Sequence, residues 1–388
     1  MIIVVFLCAA CCDETIEGVS QKPPEANRTV LVYMVASNTL SSYTETNISG
    51  ITEAVKAGAL NNGNMLLYID KYNSLPTLEK LSLENGTVSR KVVKEYTDER
   101  SASKEAMLEV LTDVKQLYPS DGYGLILWSH ASGWYPSSSS YNTTHQVRSF
   151  GDDEGVAMNI TDIAEAIPDS MFDFILCDAC YMGAVEVAYE WRAKSRYLIS
   201  SSTAIMGEGF PYSEIVKPMF DMENSLSENL IAVCESYMDY YKNSTEPFSA
   251  ISLTDLTEME SVARAMKNIV ATPDTVTIAD IQQFSQEQSS SVSFKNLFFD
   301  LDHYASNVAT DPRFYRAFSE ALSRAVIYAA STDYYLSNVR GLWRMYPIET
   351  FCGLSAYIPG ADHTEKINNF YPTLSWYKDV YSIEIPLK

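Results

Sequence analysis

The chain is poor in positive charge. Only 28 of its 388 residues are Lys or Arg, against 50 Asp or Glu, for a net charge of −22. A surface of that sign repels phosphate backbones, which argues against nucleic acid as a partner and favours cationic ligands, including Lys- or Arg-rich peptides. Cysteine is scarce as well: there are seven, and three of them (Cys8, Cys11, Cys12) fall in the first twelve residues. Cys177, Cys180, Cys234 and Cys352 remain for the body of the chain. Four are too few for a disulfide scaffold at this length, which points to a chemical role for at least one. Histidine is limited to His130, His145, His303 and His363. No spacing among these and the cysteines matches a zinc site, so no metal ligands are assigned. Internal repeats are absent, and beyond residue 10 no apolar run approaches the ~20 residues of a membrane-spanning helix.

The first ten residues, MIIVVFLCAA, carry no charge and are followed by Cys11, Cys12, Asp13 and Glu14. They are too short to span a bilayer but suit the apolar core of a secretory signal. Cys8-Ala9-Ala10-Cys11 resembles a bacterial lipobox, with Cys11 or Cys12 as the lipidated residue; a plainly cleaved signal is the other reading. Residues 1–12 therefore read as a signal and residues 13–28, polar with Pro23-Pro24, as a tether. The expectation is an exported protein, either an outer-membrane or cell-surface lipoprotein or a periplasmic or secreted one, touching membrane only through a lipid anchor.

The remaining length fits two or three units at about 150 residues each, or one large domain with additions. Apolar runs of strand length at 29–35, 65–69, 122–128, 172–176, 197–200 and 248–253 alternate with helical patterns such as 42–59, 103–117 and 183–194. That alternation predicts an α/β fold with a mostly parallel central sheet covered on both faces. Residues 29–255 form the expected main domain. Residues 256–388 read as a mainly helical C-terminal region with a late strand near 353–358. Between Tyr135 and Phe150 lies a stretch rich in Ser, Thr and Asn with one cationic side chain, Arg148. It is about as long as structureless loops become inside compact domains, which marks it as functional or flexible.

Two expected strand ends carry reactive groups. His130 directly follows Leu125–Ser129. Cys180 follows Phe174–Ala179 and is expected to open a helix, where the dipole and free N–H groups favour a thiolate. A neighbouring imidazole would make that thiolate accessible near neutral pH, from an ordinary value of about 8.5. The order, His first and Cys 50 residues later, is that of caspases. Cys177 and Cys180 also form a Cys-x-x-Cys, open to redox or zinc readings, but Cys177 fits better as a small core residue.

The pattern strand-His-x-x-Gly-Trp, then strand-Asp-Ala-Cys-x-Met-Gly, resembles the clostripain-like cysteine peptidases, of the clan that holds caspases, legumain and gingipains. Val30–Met34, Leu125–Trp128, Phe174–Leu176 and Gly207–Tyr212 resemble further blocks of that family. The resemblance implies a caspase-like three-layer α/β/α sandwich with Cys180 as nucleophile and His130 as acid/base. The N–H of Cys180 and one near Ala131 would form the oxyanion hole. Asp178 would lie at the base of the S1 pocket, with Glu208 on its wall, selecting protein or peptide substrates with P1 Arg or Lys. Arg148 then becomes a self-cleavage site, giving a monomer that consists of two chains once processed. One departure stands out: relatives have Gly where this chain has Ala131, and a positive φ there would cost of order 1 kcal/mol. It supports an alternative, a catalytically silent surface lipoprotein that binds protein or glycan. No cofactor is expected, although Asp152, Asp153 and Glu154 could take Ca²⁺; a solvated loop is the preferred reading of those three, and His303 and His363 read as surface residues.

Overall fold

A computed structural model describes residues 26–97, 100–136, 149–274, 277–289, 293–362 and 364–382. The six expected strands join three others in a nine-stranded sheet: β1 (Ala26–Val35), β2 (Asn64–Asp70), β3 (Thr77–Glu84), β4 (Thr87–Glu95), β5 (Ser120–Trp128), β6 (Phe172–Asp178), β7 (Ser195–Ser200), β8 (Ala250–Asp255) and β9 (Val326–Ser331), the three others being β3, β4 and β9. Their order is β9-β8-β7-β6-β5-β1-β2-β3-β4. The five middle strands, β7 to β2 in that order, run parallel, and the two outer strands at each end pair antiparallel.

The parallel strands are apolar on both faces, and their side chains divide alternately between two cores. Leu31, Tyr33, Val35, Leu125, Leu127, Ile175 and Cys177 enter one. Val30, Val32, Met34, Ile126, Trp128, Phe174 and Leu176 enter the other. Helices complete the outer layers: Thr44–Lys56 (α1), Lys104–Leu117 (α2), Ile160–Ala166 (α3), Val185–Glu190 (α4), Tyr212–Phe220 (α5), Leu226–Lys242 (α6) and Met259–Val270 (α7). α1, α5 and α6 cover the second core, and α2, α3, α4 and α7 the first. Local signals set their ends. Ser103 caps α2 by accepting the Ala106 N–H at 3.2 Å, and Met107, Val110, Leu111 and Val114 give α2 its buried stripe. Ser225 and Glu228 form a capping box on α6.

The structure departs from the pattern reading in several places. Residues 26–28, expected at the end of the tether, belong to β1 and pair with β5. The helix expected over 183–194 shrinks to α4, so Cys180 precedes the helix rather than opening it. The C-terminal region contains helices Leu301–Val308 and Pro312–Ala325 but also returns a strand to the sheet, β9, antiparallel to β8. β9 follows its helix without a Gly or Pro break, and its six residues blend into the helical pattern. The late strand is two residues, Ser355–Ala356, paired with Phe299–Asp300 outside the main sheet.

Glu186, buried in α4, docks this C-terminal region. Its Oε1 accepts the Tyr357 N–H at 2.8 Å and the Tyr371 hydroxyl at 2.9 Å. Burial pushes its pKa up from 4.5 to about 7. The folded carboxyl thus keeps its proton up to about pH 7, whereas the unfolded one releases it near 4.5. Its contribution to stability therefore falls as pH rises between those values, and the cost is fully present above 7. Glu186→Gln keeps the acceptor and removes the charge. It should raise Tm relative to wild type at pH 8, with the gain shrinking toward pH 5; a gain independent of pH would contradict a buried, titrating carboxyl.

Candidate active site

Trp128 at the end of β5 lies directly opposite Asp178 at the end of β6. His130 and Cys180 each come two residues later, so both leave the carboxyl edge of the sheet at the same height from neighbouring strands about 5 Å apart. The two loops are fitted to each other. Gly133 (φ +60) carries the His loop past Tyr181, and a Cβ there would meet the Tyr181 carbonyl oxygen at 2.5 Å. Only glycine fits that approach, which gives the His-x-x-Gly spacing its physical reason.

Tyr181, next to the cysteine, has φ 61, a conformation costing of order 1–3 kcal/mol for a bulky residue. Its surroundings hold it there. The Tyr181 N–H donates to the Thr203 carbonyl at 3.0 Å, and the buried ring stacks on Phe298 at 4.8 Å. The Tyr181 hydroxyl lies 3.2 Å from both Glu287 Oε2 and Ser285 Oγ. Ala131, by contrast, is not among the described residues with positive φ and forms a β-bridge with Phe150. The strain anticipated at Ala131 does not arise.

The Cys180 thiol is engaged by the loop after β7. Sγ accepts the Ile205 N–H at 3.3 Å and faces the Ile205 carbonyl oxygen at 3.7 Å. Part of the residue reaches the surface, but protein closes around the sulfur, and burial pushes its pKa up to about 12. The Ile205 N–H works against that rise, while the charges of Glu287 and Asp178 add to it. The accessible thiolate expected from a helix terminus is therefore replaced by a protonated thiol. His130 Nε2 lies 2.7 Å from Thr39 Oγ1, and its carbonyl accepts the Gly151 N–H at 3.0 Å.

Behind the His loop, Ser129 Oγ donates to the Val35 carbonyl at 2.8 Å and accepts the Asp152 N–H at 3.2 Å. Asp152 and Asp153 are buried, which corrects their reading as a solvated loop. Burial, helped by nearby Asp70, pushes Asp153 up to about 7. Among the described residues no three His, Cys, Asp or Glu side chains are grouped to hold a metal ion.

Asp178 is buried beside the cysteine. Its Oδ2 accepts the Tyr212 hydroxyl at 2.9 Å and the Phe210 N–H at 3.3 Å. Gly209 (φ +69) packs so closely on it that a Cβ would lie 2.5 Å from Oδ2. Burial pushes the Asp178 carboxyl up to about 6. Glu208 adjoins this loop with its side chain exposed, and its carbonyl accepts Asn47 Nδ2 at 2.9 Å. Thr39, Ile205 and Tyr212 escaped the sequence reading, although Thr39 follows the carboxyl end of β1 and Tyr212 closes the Gly207–Tyr212 block. Arg148, Cys11, Cys12, His145 and His363 lie outside the described residues. His303 is half-buried, its Nδ1 accepting the Gln282 N–H at 3.2 Å, and so is no plain surface residue.

A model of the clostripain family matches residues 32–381. Among solved structures, an inactive zymogen C11 protease from Parabacteroides distasonis is 34% identical, covering 93% of this chain and 100% of its own, with a TM-score of 0.80. A secreted C11 cysteine protease from Bacteroides thetaiotaomicron, "iotapain", is 26% identical over 92% of this chain and 100% of its own, with a TM-score of 0.80. A secreted C11 cysteine protease from the same organism in complex with an irreversible peptide inhibitor is 28% identical over 92% and 99%, with a TM-score of 0.79. No curated protein matches.

A thiol with a pKa near 12 is almost wholly protonated at pH 8. Alkylation of Cys180 by iodoacetamide, followed by peptide mass mapping of the uncut chain, should therefore run at least tenfold slower than that of a free cysteine of pKa about 8.5. An equal rate would contradict the burial of the sulfur.

Proposed function

Because the chain belongs to the clostripain family and is a cysteine peptidase, we propose that it is an exported endopeptidase cutting after Arg or Lys through Cys180 and His130. In this reading it is made as a zymogen that cuts itself after Arg148. The observation that carries this reading is the equal height of His130 and Cys180 on two paired parallel strands. His130 takes the thiol proton as sulfur attacks the scissile carbonyl carbon. The tetrahedral oxyanion faces the N–H of Cys180 and one near Ala131, each such donor supplying ~2.7–4 kcal/mol. The imidazolium then protonates the leaving amine, and water activated by His130 hydrolyses the thioester and restores the thiol. Side chains and backbone donors suffice for these steps, without a cofactor. Ala131 is not among the described residues with positive φ, which weighs against the silent binding protein.

Two further features support the finer points. The segment after Arg148 is bolted to the His loop: Ser149 Oγ donates to the Gly133 carbonyl at 2.7 Å, and the Ser132 N–H donates to the Ser149 carbonyl at 3.1 Å. A cut after Arg148 frees a chain end beside these bonds, while β5 and β6, now on separate chains, stay paired. The buried Asp178 gives P1 selection its charge, with Glu208 at the rim. An incoming guanidinium or ammonium would offset the desolvation of Asp178. Export, with lipid on Cys11 or Cys12, agrees with the description of one relative as secreted, and no helix among the described residues is long and apolar enough to cross a membrane.

Fluorogenic peptides test this directly. P1-Arg and P1-Lys substrates should be cleaved and P1-Asp should not, with no turnover by Cys180→Ala; cleavage after Asp, or turnover by Cys180→Ala, would overturn the reading. On gels, active wild type should show two bands and Arg148→Ala one. Identical single bands from active material would remove the processing step alone. Since P1 recognition needs ionised Asp178, KM for P1-Arg should rise as pH falls through about 6, and Asp178→Asn should raise it roughly tenfold or more at pH 7.5.

A further inference from the structure

The C-terminal region carries an open strand edge. Tyr334–Val339 and Leu342–Pro347 form a hairpin around Arg340 (φ 55) and Gly341 (φ 83), the two left-handed positions of a two-residue turn. With Val339 opposite Leu342, the bonded pairs alternate, so the N–H and C=O groups of Asn338, Trp343 and Met345 point outward. One outer side is used: the Gln288 N–H donates to the Asn338 carbonyl at 3.0 Å, and the Arg340 N–H donates to the Gln288 carbonyl at 2.7 Å. On the other side, no described residue pairs with the main chain of Trp343 or Met345. Leu342, Trp343 and Met345 are 61%, 65% and 61% exposed, the highest values for large apolar side chains among the described residues. Natural sheets normally cover, shorten or charge such an edge. Arg340 and Arg344, both exposed, stand at the turn end of this edge, while exposed Asp333 and Glu349 stand at its open end, in a chain that is otherwise strongly acidic.

We propose that Leu342–Pro347 is a docking edge for an extended acidic peptide segment. The segment adds as a third strand through the main chain of Trp343 and Met345. Its acidic side chains lie beside Arg340 and Arg344, and its apolar ones cover Trp343 and Met345. A bilayer is a poorer occupant, because hydrocarbon would leave those N–H and C=O groups unpaired. A second copy of the chain is poorer too, since edge-to-edge pairing brings Arg344 near its own mate. The edge is linked to the nucleophile loop through Gln288 and its neighbour Glu287, which meets the Tyr181 hydroxyl beside Cys180. Docking itself needs no peptide-bond chemistry, so it can be tested in an inactive chain.

The test is fluorescence anisotropy of fluorescein-labelled Thr-Val-Glu-Val-Glu-Val-Thr with the full Cys180→Ala chain. Saturable binding is expected, at least tenfold tighter than for the same peptide with Lys in place of Glu. Arg344→Glu, an exposed change, should weaken it at least tenfold. Met345→Pro, which removes one outward N–H, should do the same with an unchanged circular dichroism spectrum. Absent binding, or equal binding by wild type and both variants, would overturn the proposal. So would a blue shift of Trp343 emission on phosphatidylglycerol vesicles without peptide binding, or a sedimentation dimer lost in Met345→Pro.

Discussion

The parallel pairing of Gly124–Trp128 with Phe174–Asp178 governs where the chemistry sits. Its register is over-determined, because each strand buries alternate side chains in two different cores. A slip of one residue would send Ile126, Trp128, Phe174 and Leu176 to the wrong core. His130 and Cys180 inherit their common height from that constraint, without any bond of their own being needed to set it. Gly133 and Tyr181 then lock the two loops together, one by lacking a side chain and the other by accepting an unusual backbone conformation.

Burial acts against ionisation throughout this region. It raises Cys180, Asp178 and Asp153 alike, the expected effect of removing charge from water without supplying a counter-charge. Each group bears on a different step. Among the described residues no cation pairs with Asp178, which leaves it open to the basic P1 side chain of the proposed substrates. The Cys180 thiol is occupied by the Ile205 main chain, a quiet arrangement that fits a molecule awaiting activation. The bolt from Ser149 to Asp153 holds the His loop on one side, and the loop after β7 holds the sulfur on the other.

Much of this was legible in the residues. The apolar runs gave the parallel strands because doubly buried strands need apolar side chains on both faces, and the spacing from His130 to Gly133 and from Asp178 to Gly183 singled out the reactive loops. What stayed hidden depended on tertiary contact. β9 continues a helix without a breaking residue, so only pairing with β8 reveals it. The short α4 leaves Cys180 in a turn held by Thr203 and Ile205, 23 and 25 residues further on, which no local pattern encodes. Asp152 and Asp153 looked solvated because charged runs usually are; contacts of Ser129 and Asn38 with Asp152, and of the Ser101–Ala102 backbone with Asp153, hold them inside instead.

The most direct measurement is covalent capture of the nucleophile. A peptidyl acyloxymethyl ketone with P1 Arg is incubated with wild type and with His130→Ala, both cut beforehand by the same limited treatment with trypsin that is then removed, and the adduct is located by peptide mass mapping. A single adduct on Cys180 in wild type, at least a hundredfold slower in His130→Ala, is the expected result. Labelling of another cysteine, or equal rates in the two proteins, would contradict the pairing of this sulfur with this imidazole.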